Sequence, residues 1–80
     1  MPHVSVKLYP GRSDADKTEL ARAITKNVTA ILKCGEDSVS VVIEDVPPDA
    51  WMEQVYNSEI TAKTDKLFKK PGYGPLQRGA

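Results

Sequence analysis

The chain has 80 residues, of which 40% are hydrophobic and 28% are charged, and its eleven basic residues balance its eleven acidic ones. This balance argues against nucleic acid or an anionic membrane as the main partner, and no apolar run approaches the ~20 residues that a membrane span needs. With one cysteine and one histidine, the sequence offers no internal disulfide and no Cys/His metal site, and it predicts a single small cytoplasmic domain over residues 1–80.

The first predicted element is a strand over residues 2–9. Hydrophobic residues alternate strictly with polar residues or tyrosine from position 3 onward, and Val4, Val6 and Leu8 share one side. This period of two is typical of a half-buried strand. Pro10 and Gly11 follow at once and end it.

A long helix is predicted over residues 14–34. Ser13 occupies the N-cap position, and Asp14 and Asp16 lie in the first turn, where carboxylates complement the helix dipole. Gly35 is expected to end the helix, because glycine is preferred just past a helix C-terminus. The larger apolar residues of this segment form one stripe: Leu20, Ile24, Val28, Ile31 and Leu32.

A second strand is predicted over residues 39–46, where valine and isoleucine again alternate with polar residues. Strand, helix and strand in this order predict an α/β fold built on a β-α-β unit with parallel strands and a right-handed crossover. A sheet of two strands is marginal alone. We therefore expect a homodimer that completes a four-stranded sheet, with a hexamer as the alternative.

The C-terminal part is predicted to contain a helical segment over residues 50–69, followed by a loop or tail over residues 71–80. Two prolines at positions 47 and 48 end the second strand. Asp49 is expected to cap a first short helix and Ser58 a second one.

Pro2 stands directly behind Met1, and removal of Met1 would leave a proline with a free secondary amine. An α-amino group has a pKa of roughly 7.7–8.0, which suits a general base working near neutral pH. A Met-Pro start carries little information by itself. The order of the features that follow it makes it more informative.

Three features of residues 2–51 occur together: a proline that opens an eight-residue strand, the turn Gly11-Arg12-Ser13-Asp14 before a long helix, and a valine-rich second strand. Their order and spacing resemble the 4-oxalocrotonate tautomerase family of the tautomerase superfamily. Two further features, Trp51 after the paired prolines and the segment Lys69-Lys70-Pro71-Gly72-Tyr73, are similar to the dimeric, PptA-like bacterial branch of that family.

The resemblance implies an isomerase that moves a proton between oxygen and carbon of an enol, with Pro2 as general base and no metal or organic cofactor. Arg12 falls where the family places an arginine that binds a substrate carboxylate, and Trp51 where it places an aromatic pocket wall. A second family arginine is replaced by Ser40. This difference favours a 2-oxo acid with one carboxylate and an aromatic or apolar tail, such as phenylpyruvate. Tyr9 and Ser40 are further candidates for lining the pocket.

The same residues also allow other interpretations. Arg12 would then be a solvated turn residue paired with an acidic neighbour, and Trp51 would fill a core or an interface. The whole chain would be a non-catalytic oligomeric module that binds a ligand or another protein. Hydration-type dehalogenation, found in superfamily relatives, would need an acidic water activator and paired arginines near the site, and the sequence offers no matching pair. The roles of His3, Tyr9 and Cys34 stay open.

Overall fold

The computed structural model describes residues 1–77, so the last three residues of the expected tail lie outside the described part. The chain divides into two compact units, Met1–Pro47 and Pro48–Ala80, and each is described by itself. Along the described residues, none of the helices is both long enough and apolar enough to cross a membrane.

The first unit is a β-α-β unit with parallel strands, which confirms the predicted fold class. Strand β1 spans His3–Leu8, helix α1 spans Asp14–Leu32, and strand β2 spans Ser40–Asp45. A short 3₁₀ turn, Glu36–Ser38, leads into β2. The strands pair in register from His3 opposite Ser40 to Leu8 opposite Asp45. Each strand is slightly shorter than the alternating pattern suggested.

Helix α1 begins as the sequence predicts. Ser13 is extended (φ −74°, ψ 162°), and its hydroxyl accepts a 3.0 Å hydrogen bond from the backbone N–H of Asp16. This bond satisfies one of the free N–H groups that every helix leaves in its first turn. The cap fixes where the chain turns from the end of β1 into the helix.

The helix ends two residues earlier than expected, and the prediction for Gly35 is wrong. The residue that adopts the left-handed conformation is Lys33 (φ 56°, ψ 51°), whereas Gly35 is extended with φ −82°. The N–H of Cys34 then donates to the carbonyl of Thr29 at 3.3 Å, the bond that closes a Schellman-type helix end. Because that bond needs one left-handed residue and not a glycine as such, a lysine can serve.

Very little of the first unit is buried within a single chain. Of its described residues only Val46 is buried, and α1 contains no buried residue. Ile24 and Val28 of the predicted stripe are half-buried, but Ile31 and Leu32 are 75% and 60% exposed. An amphipathic helix normally buries its apolar side, so this face of α1 is left largely uncovered by its own chain.

The second unit is helical but irregular. A 3₁₀ turn over Pro48–Ala50 precedes a π-helix over Met52–Ile60, and 3₁₀ geometry continues over Thr61–Lys66. Ser58 does not cap a second helix as expected, because its hydroxyl donates to the carbonyl of Gln54 at 2.7 Å, within the π-helix. Among the described residues of this unit, Val55 and Tyr56 are buried.

Candidate active site

The N-terminal end of the sheet holds Pro2. The carbonyl oxygen of Pro2 accepts a 3.2 Å hydrogen bond from the backbone N–H of Ser40, and the residue is half-buried. A proline just before a strand disturbs no ladder bond, since it lacks only an N–H that the edge does not use. Pro2 is therefore tied to β2 through its carbonyl, while its nitrogen stays outside the strand pairing.

His3 and Ser40 form a polar pair beside Pro2. They are opposite each other in the register of β1 and β2, and the Nδ1 atom of His3 lies 2.6 Å from the Oγ atom of Ser40. Both residues are exposed. Ser40 thus lies near the proposed base, and it is engaged by the only histidine of the chain. The alternating patterns predict a strand start near each residue, but their pairing follows only from the parallel register.

Arg12 and Tyr9 lie at the opposite end of β1. Arg12 is exposed and lines a shallow pocket of about 270 Å³ together with Leu8, Asp16, Lys17 and Leu20. This pocket lies at the N-terminus of α1, where the helix dipole favours an anion.

Charges around this pocket are partly paired. The Nζ atom of Lys17 lies 3.0 Å from Oδ1 of Asp45, which joins the first turns of α1 to the end of β2. Asp16, which uses its backbone N–H in the Ser13 cap, adds a negative charge to the pocket lining. Arg12 is therefore the residue of this lining best placed to hold a substrate carboxylate, since a guanidinium binds carboxylates in a fork-like geometry.

Pro2 and Arg12 do not meet within one chain. The six residues of β1 separate them, and at roughly 3.3 Å per residue a strand of that length spans about 20 Å. A small 2-oxo acid cannot bridge that distance. The two residues predicted to act together are therefore held at opposite ends of the same strand.

Trp51 belongs to the second unit, where it is half-buried and lies directly before the π-helix. Its indole Nε1 donates a 2.9 Å hydrogen bond to the hydroxyl of Tyr73. The ring of Tyr73 meets the ring of Tyr56 edge-on, with 5.4 Å between the centroids and 66° between the planes. Sequence reasoning does not find the contact between Trp51 and Tyr73, because 22 positions separate the two residues.

Metal-binding clusters and free thiols add little to the site. Among the described residues, no group of three or more His, Cys, Asp or Glu side chains is placed to hold a metal ion. Cys34 is a free, half-buried thiol at the end of α1.

Comparisons with known proteins show which family the chain is similar to. A family model described as "Tautomerase enzyme" matches residues 2–56. A probable tautomerase of Xylella fastidiosa is 43% identical over 76 residues, which cover 95% of this chain and 93% of that protein. The tautomerase PptA of Klebsiella pneumoniae is 45% identical over 74 residues, which cover 91% of this chain and 97% of that protein.

A solved structure is similar as well. TomN, a 4-oxalocrotonate tautomerase homologue of the tomaymycin biosynthetic pathway, superposes with a TM-score of 0.60 at 32% identity. The superposition covers 62% of this chain and 77% of TomN.

Proposed function

The chain belongs to the tautomerase family, whose members are cofactor-independent isomerases, and we propose that it interconverts the keto and enol forms of an arylpyruvate-like 2-oxo acid. In this proposal Pro2, freed by removal of Met1, is the general base. The observation that carries it is the anchoring of Pro2, whose carbonyl is fixed to Ser40 while its nitrogen is left outside the ladder.

The proposed reaction moves one proton and changes no oxidation state. In the ketonising direction the neutral amine of Pro2 takes the proton from the enol hydroxyl, and the resulting ammonium returns a proton to the neighbouring carbon. A secondary amine with a pKa near neutrality can do both steps, because its neutral and its protonated forms are both well populated. As long as Met1 is attached, the nitrogen belongs to an amide and has no basic lone pair.

Arg12 is proposed to bind the substrate carboxylate from a second copy of the chain. Within the described sheet, β1 has β2 on one side only. Antiparallel pairing of two such β1 edges about a two-fold axis would bring the start of one strand next to the end of the other. Pro2 of one copy would then face Arg12 of the other, and the sheet would have four strands. This arrangement would bring a Pro2 and an Arg12 together, although about 20 Å of strand separates the two residues within a single chain.

The substrate is proposed to carry one carboxylate and an aromatic tail. Arg12 would be the cation for that carboxylate, whereas Ser40, beside Pro2, offers a neutral hydroxyl bonded to His3. A second carboxylate would have no matching cation at Ser40. Trp51 is proposed to contact the tail, as a flat apolar side chain that suits an aryl group.

The experiment that tests the proposal is a ketonisation assay with phenylenolpyruvate, on protein whose mass shows that Met1 has been removed. We expect activity from this protein and none from a variant with one alanine added ahead of Pro2. A variant with one alanine added at the C-terminus is the matched control and should be fully active. Equal activity in both extended variants would reject the amine of Pro2 as the base. An inactive processed protein would instead point to a binding module of the same fold.

A further inference from the structure

Contacts with Tyr56 hold Tyr73 in place, in addition to its hydrogen bond with Trp51. The hydroxyl of Tyr56 donates to the backbone carbonyl of Tyr73 at 3.0 Å and accepts from the backbone N–H of Leu76 at 2.9 Å. Tyr56 itself is fully buried, at 0% exposure. The segment around Tyr73 is therefore clamped to a buried side chain by two hydrogen bonds and an edge-on ring contact.

Gly74 makes this clamp sterically possible. Its φ is +76°, and a Cβ atom at this position would lie 2.6 Å from atoms of the Tyr56 ring. Any other residue would thus push the segment away from Tyr56. Since Gly74 directly follows Tyr73, the close approach also holds the backbone that carries the Tyr73 ring near Tyr56.

The Tyr73 hydroxyl in turn sets the orientation of the Trp51 indole. An indole has a single donor, its Nε1–H, and here that donor is bound to Tyr73 at 2.9 Å. Trp51 is only half-buried, so packing alone covers only part of the ring. The hydrogen bond is therefore a directional contact that favours one orientation of the ring plane.

We propose that Tyr73 is a positioning residue, which holds the Trp51 indole ready for an aromatic substrate tail and so makes the enzyme select aryl over alkyl 2-oxo acids. This inference rests on the proposed function, in that Trp51 contacts the tail. Because the indole of Trp51 is already oriented, it loses little conformational entropy when the substrate binds. Ordering one such side chain weakens binding by about 2- to 12-fold.

The variant that tests this is Tyr73→Phe, which keeps the ring against Tyr56 and removes only the acceptor of the indole N–H. Trp51 is the only tryptophan of the chain, so tryptophan fluorescence reports on this ring alone. We expect a shifted emission, easier quenching by acrylamide, and a KM for phenylenolpyruvate raised by about 2- to 12-fold at unchanged kcat. KM for an aliphatic enol of a 2-oxo acid should not change.

A matched control is Ser58→Ala, which removes a hydroxyl from the same unit. That hydroxyl donates to the carbonyl of Gln54 within the π-helix, so emission and both KM values should stay at the wild-type level. A second variant, Trp51→Phe, removes the donor of the same hydrogen bond and leaves Tyr73 in place. In a Trp51→Phe background, Tyr73→Phe should have no further effect on KM, since coupled residues are not additive.

Three results would overturn the inference while leaving Pro2 as the base: unchanged emission in Tyr73→Phe, an equal rise of KM for aryl and alkyl substrates, or additive effects of the two variants. Failure of the proposed function is a different result, because the processed wild-type protein would then not ketonise phenylenolpyruvate at all. A selective rise for the aryl substrate, absent without Trp51, would establish the role of Tyr73.

Discussion

The carbonyl oxygen of Pro2 accepts a 3.2 Å hydrogen bond from the backbone N–H of Ser40. This bond extends the parallel pairing one residue beyond His3, where β1 begins. Any residue at position 2 can make the same bond, because it uses only the backbone carbonyl. A substitution there consequently tests the chemistry of the terminal amine and leaves the attachment of the strand intact.

We expect Pro2→Ala to lower kcat/KM for ketonisation by about tenfold or more, because positioned general bases contribute at least that much. Some activity should remain, since an alanine terminus still has a primary amine. Circular dichroism and the urea midpoint should match those of the wild type. Full activity in this variant would remove Pro2 from the mechanism.

Arg12→Ala is expected to weaken binding of a carboxylate substrate by about 10- to 100-fold in kcat/KM, the equivalent of a hydrogen bond to a charged group. The methyl ester of the same substrate should be almost unaffected. Arg22→Ala is the matched control: Arg22 is also exposed, but it lines a different groove along α1. Equal losses on acid and ester would mean that Arg12 acts on structure and not on the carboxylate.

Mixing the two impaired variants should restore activity if Pro2 and Arg12 come from different copies. In a two-fold assembly, one copy with Pro2→Ala and one with Arg12→Ala leave one intact pair in each mixed dimer. After co-refolding in equal amounts, we expect about a quarter of wild-type activity, since about half of the dimers are mixed. Each variant refolded alone is the control. No gain on mixing would place both residues in one chain's site and contradict the two-copy arrangement.

The assembly itself should be a homodimer. Sedimentation equilibrium of the processed protein is expected to give the mass of two chains, because a two-stranded sheet with one covered face is marginal by itself. A mass of six chains would favour the hexamer instead. A folded single chain would contradict the pairing of β1 edges altogether.

Gly74→Ala should destabilise the second unit more than Gly11→Ala destabilises the first. Both glycines have positive φ, +76° and +122°, but only at Gly74 would a Cβ meet other atoms, 2.6 Å away on Tyr56. Both substitutions therefore strain the backbone, whereas the clash adds about 1–3 kcal/mol at Gly74 alone. Urea unfolding followed by Trp51 fluorescence measures the first variant, and circular dichroism compares both. Equal losses would show that the ring of Tyr56 moves aside freely.

Features set by neighbouring residues could be predicted from the sequence. The alternation in β1, the Ser13 cap of α1 and the parallel β-α-β topology all depend on local patterns, and the structure confirms them. The end of α1 was placed wrongly because left-handed geometry is only favoured by glycine, and Lys33 adopts it instead of Gly35.

Contacts between distant positions could not be predicted in the same way. The bond between Trp51 and Tyr73 depends on how an irregular π-helix and the following segment turn, and hydrophobic periodicity carries no information on either. The pairing of His3 with Ser40 needed the register of two strands separated by a helix. The separation of Pro2 and Arg12 could have been read from the strand length alone, at roughly 3.3 Å per residue.

The exposed apolar face of α1 affects how long a newly synthesised chain survives in the cell. With Ile31 and Leu32 mostly exposed and, of the described residues in its unit, Val46 alone buried, an unpaired copy presents the kind of apolar surface that chaperones and proteases recognise. Pairing lowers the share of unpaired copies, because whatever binds only the folded state stabilises it by mass action. We therefore expect the protein's lifetime in the cell to lengthen as its expression rises, with surplus chains cleared before they accumulate as free subunits.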